Sequence, residues 1–146
     1  GIALANLSAG RIGVAAQAVG GARGAFEAAL AYAQEREAFG KPIFEHQAVA
    51  FRLADMATQI EAGRRLYLHA AQIHDSGAPS LKEASMAKLF ASDMAEKVAS
   101  DALQTFGGYG YLEDFPVAKI LRDVRVYRIY EGTNDIQKIV ISRSLA

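Results

Sequence analysis

This chain has no cysteine, which excludes disulfides, thiolate catalysis and cysteine-based zinc sites and fits a reducing compartment. It also lacks an excess of charge, since sixteen basic side chains balance sixteen acidic ones. Without a basic run, the sequence gives no footing for nucleic-acid binding or a polybasic membrane anchor. No apolar stretch is read as approaching the roughly 18 residues of a membrane span, so no membrane insertion is expected. The sequence opens at Gly1 without a charged-then-apolar leader, and reads as a processed chain or a part of a longer one. What is present is apolar enough for a real core: just over half of the 146 residues are hydrophobic, one domain's worth of chain.

The apolar spacing is helical nearly throughout. Ile12, Ala15, Val19, Ala22, Phe26, Leu30 and Ala33 step by three or four along one face, with Ala and Gly neighbours that permit close helix approach. "FGKP" at Phe39–Pro42 ends this helix. A second helix is expected from about Phe44 to His74, with Val49, Leu53, Met56, Ile60, Gly63 and Tyr67 on its stripe. After "DSGAP", Ser80 and Glu83 have the spacing of a capping box and open a third helix to about Phe106. Pro116 starts a fourth, to about Tyr127, and a last one runs from about Asn134 to Ser144. The expected fold is all-α: an antiparallel up-down-up-down four-helix bundle with a short extra C-terminal helix and no β-hairpin or internal repeat.

Taken singly, the polar features are ambiguous. No glutamate has a histidine three positions later, and His46, His69 and His74 offer no repeated ligand spacing, so no metal is expected. "QTFGGYG", Gln104 to Gly110, fits either a tight interhelical turn or a phosphate cradle of backbone N–H groups. It is neither a Walker loop nor preceded by a strand. In "EREAFGKPIFEHQ", Glu35 to Gln47, an arginine, an aromatic and a glutamine could clasp a phosphate and stack on a ring. Arg36 could equally complement the carbonyl end of its own helix. Glu131, in "RIYEGTNDIQ", places a carboxylate at a helix break, where a solvated turn is the plain alternative.

In order, R-x-x-F-G-K-P…H-Q, Q-x-F-G-G-Y-G-Y…P-V…R-D and I-Y-E-G-T-x-x-I-Q are far more specific. Together with "GRIGVAAQAVGGA" and "KEASMAKLFAS", they cover essentially the whole chain. The sequence resembles the C-terminal helical domain of the acyl-CoA dehydrogenases, nearest the short-chain and 2-methyl-branched-chain members. That resemblance implies an FAD-dependent α,β-dehydrogenation of an acyl-CoA thioester to the trans-2-enoyl-CoA. It also implies an electron-transfer flavoprotein as acceptor, and a bacterial cytoplasmic or mitochondrial matrix setting.

Residue by residue, the resemblance makes Glu131 the base that removes the α-proton while the β-hydrogen leaves as hydride to the flavin. Gly132 keeps the backbone open to the thioester. Arg11 matches an arginine near the base, and Ser8 lies in a substrate-contacting stretch, though relatives carry Asp or Asn there. Long-chain and isovaleryl branches place their base where this chain has Gly10, which leaves Glu131 as the matched base. Flavin contacts carry over onto Arg36, Phe39, His46 and Gln47, and onto Gln104, Thr105, Phe106, Gly107 and Gly108. Thr133, Asn134 and Asp135 follow the base along the flavin. The earlier groups reach the FAD of a neighbouring subunit, which implies a homo-oligomer, commonly a tetramer.

The family's N-terminal helical and middle β domains are not among residues 1–146, which read as the C-terminal domain alone. An acyl-CoA oxidase shares the glutamate. A nitroalkane-oxidising relative uses an aspartate base, which Glu131 argues against. From a different class, a non-catalytic helical assembly module would need none of these motifs.

Overall fold

A computed structural model describes residues 2–146. Its helices are α1 (Ile2–Glu35), α2 (Gln47–Asp75), α3 (Leu81–Phe106), α4 (Pro116–Arg125) and α5 (Asn134–Ser144). Short 3-10 turns at Ile43–Glu45, Gly107–Tyr111 and Val126–Arg128 lead into or out of them. Three cross-helix contacts fix the directions. Arg11 of α1 bonds Ser85 near the start of α3, and Tyr32 stacks on Phe106 at its end, so α1 and α3 run parallel. Arg52, early in α2, reaches Thr105, late in α3, so α2 runs the other way. Gly24 faces Ile120 and Gly21 faces Val124, which sets α4 antiparallel to α1. The up-down-up-down expectation holds, with α5 as the extra helix packed on α3.

The seam between α1 and α3 is built of alanine. Ala15, Ala18, Ala22, Ala25, Ala29 and Ala33 are wholly enclosed on α1, as are Ala84, Ala87, Ala91, Ala95, Ala99 and Ala102 on α3. Each methyl contributes only about 0.8 kcal/mol, but small residues let the two backbones approach closely and gain dispersion along the whole seam. Phe26, Leu30 and Ile12, expected on the stripe, instead flank it half-buried, because the closest contact has no room for them. By length and composition α1 would also suffice to cross a membrane, a correction to the sequence reading; here its alanine stripe is the bundle's seam.

Two further expectations are corrected. A two-stranded hairpin follows α1: β1 (Glu37–Ala38) pairs antiparallel with β2 (Lys41–Pro42). Its two-residue turn is Phe39–Gly40, both with positive φ, as such tight hairpin turns demand. The strands are too short for any alternation to register in sequence, and phenylalanine is not a usual residue for that turn. The Ser80–Glu83 capping box does not form. Ser80 sits at φ −128° and ψ 9° with no side-chain cap bond, its hydroxyl directed to His74 Nδ1 at 3.4 Å.

Candidate functional site

The bundle divides the residues singled out by the sequence between its two ends. At one end, the turn between α4 and α5 lies against the beginnings of α1 and α3. Glu131 has φ 58° and Gly132 φ 83°, a left-handed pair that costs a non-glycine residue on the order of 1–3 kcal/mol. A Cβ added at Gly10 would meet Glu131 Oε2 at 2.8 Å and Cδ at 3.3 Å. The carboxylate therefore rests directly on the bare Cα of Gly10, with the residue otherwise exposed.

Arg11, 4% exposed, flanks this turn. Its Nη1 donates to Ser85 Oγ at 2.9 Å, and its Nη2 lies 3.3 Å from where a Gly132 Cβ would stand. Its Nε is buried without a partner. Burial lowers the Arg11 pKa, partly offset by the negative charge of Glu131.

Beneath the turn is a polar cluster that the sequence reading did not single out. Lys88, wholly enclosed on α3, donates to Gly132 O at 2.9 Å and to Asn134 Oδ1 at 2.8 Å. Burial, and then the neighbouring Arg11 charge, bring the Lys88 ammonium down to about 8, against the opposing pull of Asp93 and Glu131. Gln137, also wholly enclosed, donates from Nε2 to Gly132 O at 2.9 Å and Glu131 O at 3.2 Å. Asn134 Nδ2 donates to Asp93 Oδ1 at 2.7 Å and to Ser92 Oγ at 2.9 Å. Arg128 then ties the segment before the turn to α3, with Nη1 on Glu96 Oε2 at 2.6 Å. Its Nε is 2.8 Å from Asp93 Oδ1, close enough for charge attraction but off the N–H direction, so it counts as an ion pair and not as a hydrogen bond.

A signal for Lys88 was available. It lies four residues after Ala84 and three before Ala91, on the stripe that should be apolar, where a lysine is out of place unless it has buried acceptors. Among the expected residues, Ser8 is buried, Thr133 caps α5 by accepting from Ile136 N at 3.4 Å, and Asp135 is exposed in the first turn of α5. Asn134 faces inward, into the cluster just described.

The other end gathers the remaining candidates. Phe106 stacks on Tyr32 with centroids 4.2 Å apart, and Phe115 joins Phe106 and Tyr109 at 5.7 and 5.6 Å. The Arg36 guanidinium lies over the Tyr109 ring at 5.8 Å. Tyr32, Arg36, Ile43, Gly107, Tyr109 and Leu112 border a cleft of about 440 Å³. Gly107 and Gly108 leave open space where a side chain would stand, so their backbone is accessible. Thr105 is buried, donating to Asp101 O at 2.8 Å, while Gln104 and Gln47 are exposed. Phe39 is 96% exposed, its ring at 86° to that of His46 with centroids 5.9 Å apart, and His46 Nε2 donates to Ala38 O at 2.8 Å. A larger groove of about 1190 Å³, bordered by Phe51, Met56, Met86, Phe90 and Ile141, contains none of the candidates.

The first end has the parts of a proton-transfer site: an accessible carboxylate beside a buried cation with donor capacity to spare. The second has the parts that receive a phosphate-bearing planar ligand: a cation, bare backbone and an exposed ring. From Arg11 to Glu35 the α1 axis rises about 36 Å at ~1.5 Å per residue, so one chain does not bring the two sets together.

Residues 1–146 match the family described as acyl-CoA dehydrogenase, C-terminal domain. The chain is 57% identical over 144 residues to an acyl-CoA dehydrogenase of Bacillus subtilis, covering 99% of itself and 38% of that protein. It is similar to the butyryl-CoA dehydrogenase structure from Megasphaera elsdenii, with a TM-score of 0.97 and 48% identity over 99% of this chain and 38% of that one. A structure described under the electron transferring flavoprotein of Acidaminococcus fermentans gives a TM-score of 0.96 and 53% identity, again over 99% and 38% of the two chains. The chain thus spans little more than a third of the length of these relatives.

Proposed function

The chain belongs to the acyl-CoA dehydrogenase family as its C-terminal domain, and from that premise we propose that the complete protein oxidises an acyl-CoA thioester to its trans-2-enoyl-CoA. Glu131 is the base that takes the α-proton. The observation that carries this reading is the seat of its carboxylate, laid over Gly10 at a strained left-handed turn beside Arg11. A substrate acyl chain entering over that carboxylate displaces water from it and strengthens it as a base. Arg11, with an unbonded Nε, supplies positive charge where negative charge develops on the thioester. Ser8 and Gly132 complete the substrate side of the turn.

The residues at the far end fit an FAD. Arg36 answers the pyrophosphate charge, the bare backbone of Gly107 and Gly108 admits close approach, and exposed Phe39 offers a ring face. Gln104, Thr105, Phe106, His46 and Gln47 surround that end, while Thr133, Asn134 and Asp135 belong to the Glu131 end. When bound, the flavin supplies the hydride acceptor for the β-hydrogen. The separation of the two ends along α1 supports a homo-oligomer in which each flavin takes one end from each of two subunits. An electron-transfer flavoprotein is the proposed acceptor, and a short acyl chain the proposed substrate class, in keeping with the relatives' names.

Acyl-CoAs of graded chain length, offered to the complete protein with an electron-accepting dye, test the reading. Short saturated thioesters should bleach the flavin and turn over. Failure of every chain length to bleach it would overturn the assignment.

A further inference from the structure

A left-handed glutamate does not hold itself in place. Two buried side chains from different helices grip the carbonyls of the turn that contains it. Lys88 of α3 donates to Gly132 O at 2.9 Å; Gln137 of α5 donates to that same oxygen at 2.9 Å and to Glu131 O at 3.2 Å. Both side chains are wholly enclosed. Resting on Glu131 as the base, we propose that Lys88 and Gln137 are positioning residues which lock the Glu131–Gly132 turn left-handed and so lay the carboxylate over Gly10.

Stability alone does not account for this pair. A buried ammonium is costly, and replacing buried ionic groups by apolar ones of similar size is often neutral or stabilising. Lys88 has no carboxylate among its hydrogen-bond partners; the nearest route to one runs through Asn134, which itself donates to Asp93. Gln137 leaves its Oε1 buried without a partner, a cost accepted because both atoms facing its Nε2 are carbonyl oxygens that need a donor. Released from these two donors, the turn can relax toward the right-handed region that glutamate prefers. The carboxylate would then leave its seat.

The complete flavoenzyme carrying Lys88→Met or Gln137→Met tests the proposal. Each variant keeps the volume and removes the donors. We expect kcat to fall roughly 10–100-fold, the scale of a displaced catalytic group, with KM and flavin content unchanged. The isotope effect on an α-deuterated substrate should rise as proton removal becomes limiting. Backbone amides of residues 131–133 should exchange faster with solvent deuterium, a readout independent of turnover. In a Glu131→Gln background neither substitution should lower the residual rate further, because each acts through that carboxylate. Wild-type kcat and isotope effect in both variants, or a further loss in the Glu131→Gln background, would overturn the positioning role. If Lys88→Met does not fold, the neutral Gln137→Met carries the test by the same criteria. Should Glu131→Gln itself keep normal turnover, the base assignment falls, and the positioning role with it; loss there with intact Lys88→Met and Gln137→Met refutes the positioning role alone.

Discussion

Phe39 and Glu131 are the two non-glycine residues with positive φ among the described residues, at 55° and 58°. Each is followed by a left-handed glycine, and they stand at opposite ends of the bundle. Their surroundings differ. The turn at Glu131 is gripped from below by the enclosed Lys88 and Gln137, and its side chain has a seat on Gly10. The turn at Phe39 is held by its own two-residue strands and by the His46 bond to Ala38, with its ring in solvent. One strained residue is preorganised by the chain itself. The other presents its ring to solvent, the pattern expected if, as proposed, the first end performs chemistry and the second completes a site shared with another subunit.

The largest expected effect breaks the first end. Glu131→Gln in the complete enzyme keeps the shape and removes the proton acceptor, so turnover should fall roughly 10²–10⁴-fold while FAD stays bound. Single-turnover flavin bleaching measures it directly. A less drastic break is Gly10→Ala, whose methyl would stand 2.8 Å from Glu131 Oε2. The flexible carboxylate must move, and a displacement of that size costs about 10²-fold in kcat with little change in melting temperature.

At the second end the same reasoning predicts the opposite balance. Phe39→Gly removes the left-handed penalty, so the chain should gain at most about 1 kcal/mol after glycine's entropy is deducted. Flavin retention by the complete enzyme should weaken about tenfold, the scale of a lost stacking contact. Thermal melts and flavin titration read the two effects separately. By the same contrast, the 146-residue chain alone should purify helical and colourless in the presence of FAD, because half a site loses most of its affinity.

The remaining effect is one of pH and concerns Lys88. Folded, it releases its proton near pH 8; unfolded, it holds it to the ordinary lysine value of 10.5. Between those values the unfolded state binds more protons, so stability rises with pH across that window and is lost as pH falls through about 8. Urea denaturation of wild type and Lys88→Met from pH 7.5 to 10.5 should show this rise in the wild type and its absence in the variant.

The sequence made the bundle legible because helical period and small-residue spacing are local and repeated. Val19, Leu53, Met56 and Ile60 are buried as their stripes require, and α5 begins and ends at Asn134 and Ser144 as expected. Features decided by single backbone angles or distant partners were not legible. Ser80 has the capping spacing, but its hydroxyl turns to His74 across the α2–α3 connection. The Phe39–Gly40 hairpin depends on two torsions that no alternation announces. Glu131 could be singled out by its motif, yet its seat on Gly10 and its grip by Lys88 join residues far apart in the chain. A lone lysine on an alanine stripe was the trace that this grip left in the sequence.

The alanine seam between α1 and α3 has a further consequence. Alanine side chains have no rotamers to lose or exchange, so the two parallel helices, packed through their alanines, have no rotamer switch along that seam by which to shift against each other. They act as a caliper whose jaws are set in both distance and rotation. Inserting one residue within α1 would lengthen it by only about 1.5 Å, yet would turn one end by about 100° relative to the other. In the proposed assembly the two half-sites would thus be indexed by helical phase, and a register error far from either would misalign both.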